Sequence, residues 1–140
     1  ALLGDVVVRN VDLHRLDGID RDRLLGGRQV VRFQAWTDAP GAAGANPALV
    51  NNLDLEVIAN GQTYRGNVMT AGQSTTGGTA DNRNNIENVF LPAGTAGSVT
   101  VRMIGTALPG DGVPNVGDGT DQDFALVCSN CLEDPTFTVQ

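Results

Sequence analysis

The stretch that most constrains this chain is residues 52–66, NLDLEVIANGQTYRG. Leu53, Leu55 and Val57 alternate with Asn52, Asp54 and Glu56. A period of two puts the apolar set on one face of a strand and the polar set on the other. Asn60-Gly61 then interrupts the run, and both residue types accept the positive φ of a two-residue hairpin turn. QTYRG follows as the returning strand. A chain that begins from such a hairpin needs a second layer to cover its apolar face.

The rest of the sequence offers more strands. DVVVRN is β-branched, and QVVRFQAWT sets Val31, Phe33 and Ala35 against Arg32 and Gln34, with Trp36 breaking the alternation to cover an edge of the core. IENVFLP and SVTVRMIGT read as strands, the latter with Val99, Val101 and Met103 inward. DFALVCS places Phe124, Leu126 and Cys128 on one face, and PTFTV offers a last strand. Between them lie stretches read as loops: DLHRLDGIDRDRLLGGRQ, which has room for one helical turn, DAPGAAGANPA, Met69 to Asn85, and LPGDGVPNVGDGTDQ. With 18 glycines, 6 prolines and no convincing helix, this predicts an all-β domain of about seven or eight antiparallel strands, a sandwich or jelly-roll barrel. Its 140 residues suit a single domain.

Charge narrows the partners. The formal net charge is −7, and all nine basic residues are arginine. Nucleic acid binding needs a net basic face, so it is not expected. No stretch approaches the roughly 20 apolar residues of a membrane-spanning helix. Cys128 and Cys131, in VCSNC, lack the two further ligands of a zinc site and the helical context of a redox pair. A local disulfide is the first reading for them.

Catalytic parts are scarce. His14 is the single histidine, the serines are Ser74, Ser98 and Ser129, and none lies in a G-x-S-x-G elbow. There is no lysine, which excludes Schiff-base and Ser-Lys chemistry. The expectation is a chain that is not itself an enzyme, with no catalytic residue and no organic cofactor. Oxygen-rich loops remain. Calcium takes about six to eight oxygen ligands, and two regions could supply them. Asn51, Asn52 and Asp54 combine with Asp81, Asn84, Asn85 and Glu87 of DNRNNIEN. Asp54 opposes local strand propensity, which suggests a site-specific reason. Asp111, Asp118, Asp121 and Asp123 form a second acidic region that does not match EF-hand spacing. Against both stands the reading that these are solvated surface and turn residues.

WTDAP, ALVNNLDLEV, YRGN and NRNNIENVFLP, taken in this order with DFALVCSN, resemble the C-terminal β-barrel (jelly-roll, P-domain-like) domain that follows the catalytic domain in a group of subtilisin-like serine proteases. The resemblance covers about residues 29–130, leaving residues 1–28 as a lead-in strand and loop and 131–140 as a tail. It implies a calcium-stabilised, non-catalytic accessory domain of a secreted protease. The partner would be the catalytic domain of the same polypeptide. It implies Ca2+ ligands at Asp54, Asp81, Asn84, Asn85 and Glu87, with Asp38 from W-[ST]-D-x-P in a less defined role. Asn52 stands where the family more often has Asp, which gives a ligand oxygen without charge. The acidic loop from Pro109 to Asp123 departs from the pattern, as do the two cysteines. The competing reading is a free-standing extracellular β-sandwich module for a protein or carbohydrate ligand. Aromatics for a glycan platform are few: one Trp, one Tyr and four Phe.

Overall fold

The computed structural model describes residues 7–13, 29–95, 97–115, 119–126 and 132–139. They form an all-β, antiparallel structure. Nine strands lie among them: β1 (Val7–Leu13), β2 (Gln29–Ala35), β3 (Asn52–Ala59), β4 (Gln62–Thr70), β5 (Gln73–Thr76), β6 (Ile86–Leu91), β7 (Gly97–Ala107), β8 (Ala125–Leu126) and β9 (Leu132–Val139). A six-stranded sheet runs β5-β4-β3-β7-β1-β9, and a three-stranded sheet runs β6-β2-β8. The sheets are not closed into one continuous ladder. Among the described residues no helix is long and apolar enough to cross a membrane.

The β3–β4 hairpin forms as its sequence dictates. Asn60 (φ 50°) and Gly61 (φ 72°) turn the chain and pair Ala59 with Gln62. Leu53, Leu55, Val57 and Ala59 are buried while the residues between them stay half-exposed. β3 sits between β4 and β7, so its apolar row meets Val99, Val101 and Met103 of β7 in the same sheet and Val89 and Leu91 of β6 across the core. Burial of such aliphatic side chains stabilises by about 1.5–3 kcal/mol each. On the other face, Glu56 reaches Arg65 at 3.6 Å and Arg102 at 3.4 Å, its cross-strand neighbours on β4 and β7. Ion pairs whose arginine lies this open to solvent add little.

Two sequence expectations change. The stretch from Met69 to Asn85 is not all loop: β4 runs on to Thr70, turns at Ala71-Gly72, both at positive φ, and returns as β5. Polar β5 earns its strand through pairing with β4, at Met69↔Ser74 and Thr70↔Gln73, rather than through propensity. Ala35 is exposed, and Trp36 beside it is buried at the core. His14, Cys128 and Cys131 lie outside the described residues.

Candidate functional site

The polar residues singled out by sequence sit in two places. The first is an end of the sandwich organised by Asn51, which is fully buried. Asp38 spans the amides of Val50 and Asn51, with both bonds at 2.7 Å. Trp36 Nε1 donates to the Asn51 carbonyl at 3.1 Å. The Asn51 side chain then grips the acidic loop. Its Oδ1 accepts from Gly110 N at 2.8 Å, and its Nδ2 faces the carbonyls of Gly110 (2.9 Å) and Asp121 (3.2 Å) and the Gln122 Oε1 (2.9 Å). Gln122 Nε2 returns to the Thr37 carbonyl at 2.8 Å. Asp38 thus serves as a cap that fixes Asn51, and Asn51 serves as a buried hub joining residues 36–38 to the loop before β8. The sequence pattern groups Asn51 with the metal candidates, whereas the fold makes it a hub; its place just before an alternating strand is the signal for that role.

The second place is the seam between β3, β4 and β6. On β6 the inward positions are Glu87, Val89 and Leu91, so the alternation drives a carboxyl group into the core. Glu87 is 1% exposed. The β3–β4 ladder ends at Glu56↔Arg65, and the next β3 amide, Leu55 N–H, donates to Glu87 Oε2 at 2.7 Å. Gly66 leaves the room: a Cβ there would lie 2.0 Å from that oxygen. A glycine inside a strand often marks such a close approach. The following residue, Asn67, has φ 59° and bridges to β6. Its Oδ1 accepts from Asn88 N at 3.0 Å, and its Nδ2 donates to the Ile86 carbonyl at 2.8 Å. One side chain thereby supplies the donor and acceptor of a missing strand residue. Ser74 Oγ does similar work for Phe90 N at 2.8 Å.

Acidic groups border this seam. Asp81 takes hydrogen bonds from Asn67 Nδ2 and Asn84 Nδ2, both at 2.6 Å, and from the amides of Arg83 (2.8 Å) and Asn84 (3.3 Å). Partial burial opposes its ionisation, but these bonds outweigh burial and hold its pKa below the ordinary carboxylate value. Asp54 accepts from Asn52 Nδ2 at 3.1 Å and from the Thr106 hydroxyl. Glu87 behaves in the opposite way. Burial pushes its pKa up, the Leu55 amide pulls it down, and the charges of Asp54 and Asp81 raise it again, to about 8. Two oxygens in this set, Asn52 Oδ1 and Glu87 Oε1, are buried without a hydrogen-bond partner.

Of the seven expected ligands, Asp54 and Asp81 are thus close enough to Glu87 for their charges to act on it. Asn52 belongs to the Asp54 group and Asn84 to the Asp81 group. Asn85 is turned elsewhere, donating to the Trp36 carbonyl at 2.9 Å, and Asp38 belongs to the Asn51 hub. Among the described residues, no three His, Cys, Asp or Glu side chains converge as a ready metal cage. Gly66 and Asn67 were missed as site residues, although a Gly-Asn pair inside a strand pattern carried the signal.

No protein-family model matches the chain. It is similar to two curated proteins of Dictyostelium discoideum. One is the serine protease/ABC transporter B family protein tagD, 31% identical over 127 residues that cover 77% of this chain and 7% of tagD. The other is the serine protease/ABC transporter B family protein tagA, 32% identical over 112 residues that cover 71% of this chain and 6% of tagA. The chain therefore spans a small fraction of the relatives it matches, and it is a distant relative of proteins named for a serine protease.

Proposed function

We propose that the chain is a non-catalytic, jelly-roll accessory domain of a secreted subtilisin-like serine protease, packed against the catalytic domain of the same polypeptide. One observation carries this reading. The segments that resemble the protease-associated family are those the fold joins to one another. WTD meets LVNN through Trp36, Asp38 and Asn51, and LDL meets IENVF through Leu55 and Glu87. YRGN meets DNRNNIENVF through Gly66 and Asn67. Residues whose hydrogen bonds go to the backbone of neighbouring strands hold a scaffold together. The relatives' printed names support the protease context.

Structural calcium forms part of the proposal, at the Asp54, Asp81 and Glu87 side of the seam. All the donors there are oxygens, the type calcium prefers. The partnerless Asn52 Oδ1 and Glu87 Oε1 are buried polar atoms that a cation would satisfy. Asp54, Asp81 and Glu87 would supply charge, and Asn52 a neutral oxygen. Bound calcium would offset the charge that Asp54 and Asp81 impose on Glu87 and stabilise the native state by linkage.

Two measurements test the proposal. The purified chain should show no turnover of peptide substrates; turnover blocked by a serine-protease inhibitor would overturn the non-catalytic reading. Its thermal midpoint should fall by several degrees when calcium is replaced by chelator, and an Asp54→Ala variant should lose that response. A midpoint that ignores both treatments removes calcium from the proposal.

A further inference from the structure

We propose that Asn60-Gly61, at the tip of the β3–β4 hairpin, is a site of spontaneous covalent modification, converting in the folded protein to an isoaspartyl linkage. The sequence holds a single Asn-Gly dipeptide. Both residues are exposed. Among the described residues no partner holds the Asn60 side chain or the Gly61 amide. Nothing lies within 4 Å of the place where a Gly61 Cβ would stand. The nucleophile, the carbonyl it attacks and the solvent that assists are therefore all accessible together.

The step needs only water. Solvent base removes the Gly61 amide proton, and the nitrogen attacks Cγ of Asn60. A C–N bond forms, the Cγ–Nδ2 bond breaks, and ammonia leaves with the proton returned to it, giving a five-membered succinimide. Water then opens the ring. Attack at Cγ gives aspartate; attack at the former main-chain carbonyl gives isoaspartate, in which the backbone runs through the side chain. Nothing is oxidised or reduced. Isoaspartate adds a methylene to the main chain of a two-residue turn whose geometry fixes the Ala59↔Gln62 pair. Aspartate keeps the turn and adds one more negative charge.

The fold offers a contrast within the same molecule. Asp111-Gly112 can form the same succinimide, with water as the leaving group. There the Gly112 amide is bound to the Asp121 carbonyl at 2.9 Å, and a Gly112 Cβ would meet Gln122 Oε1 at 2.2 Å. Asp111 itself is half-buried. The Asn51 hub, which holds Asp121 and Gln122, therefore also shields the Asp111-Gly112 dipeptide.

The test is to age the intact chain in mildly alkaline buffer, with a parallel sample in denaturant. Digestion and fragment mass spectrometry locate each product, and enzymatic methylation of isoaspartyl carboxyls quantifies the β-linkage. In the native sample position 60 should dominate the isoaspartate formed, and position 111 should isomerise only after unfolding. A Gly61→Asn variant should lose most of the product at position 60, because the added side chain hinders attack while Asn tolerates positive φ. An Asn60 that survives while other asparagines of the native protein convert overturns the proposal. So does an Asp111 that isomerises as fast folded as unfolded.

Discussion

Replacing Glu87 by Gln tests the logic of the seam most directly. Glu87 is buried, its Oε2 is bound to the Leu55 amide, and its pKa rises from 4.5 to about 8. A carboxyl group whose folded pKa lies above its unfolded value binds more protons in the folded state. Its stabilisation is complete below about pH 4.5 and is lost as pH rises through about 8. Each pKa unit corresponds to about 1.4 kcal/mol. Relative to an uncharged side chain, Glu87 should therefore cost on the order of 3 kcal/mol at about pH 7 and 4–5 kcal/mol above the folded pKa. Gln keeps the shape and an acceptor for Leu55 N–H but cannot ionise. The assay is denaturant unfolding of both proteins, in chelator, from about pH 4 to 9. The difference between them cancels every titrating group that does not sense the Glu87 charge and leaves Glu87 with its coupling to Asp54 and Asp81. Wild-type stability should fall relative to Glu87→Gln across the window between 4.5 and about 8. A parallel pair of curves, or a wild type that gains on the variant as pH rises, would refute the argument. Repeating the series in calcium separates two ways of satisfying Glu87 Oε1. A proton gives the falling curve, whereas a bound cation holds Glu87 ionised and flattens or reverses it.

Other expectations follow from the same geometry. Gly66→Ala sets a methyl 2.0 Å from Glu87 Oε2 and should destabilise by about 1–3 kcal/mol or more, read as a lower denaturation midpoint; Glu87→Ala should relieve part of that loss in a double-mutant cycle. Asn51→Leu leaves Gly110 N and the facing carbonyls without their partner and should cost about 3 kcal/mol, with faster amide exchange in residues 108–123 than in β3. Leu55→Ala, in the fully buried row of β3, should cost about 2–5 kcal/mol. Unchanged midpoints in any of these would show that the named contact does not carry stability.

Sequence by itself determined the parts of this protein that depend on local pattern. Leu53, Leu55 and Val57 had to share a face because a strand has a period of two. Asn60-Gly61 had to turn because few other residue pairs accept two positive φ values. The all-β class follows from those signals repeated along the chain. Tertiary structure decided what no local pattern encodes. Polar β5 became a strand because β4 was there to pair with it. Asn51, Asn67 and Glu87 received their roles from backbone groups that lie far away in sequence: Gly110 for Asn51, Asn88 for Asn67 and Leu55 for Glu87. An acidic or amide side chain reads the same in sequence whether it faces water, a cation or a lone buried amide. The choice depends on which unpaired groups the packed sheets bring within about 3 Å.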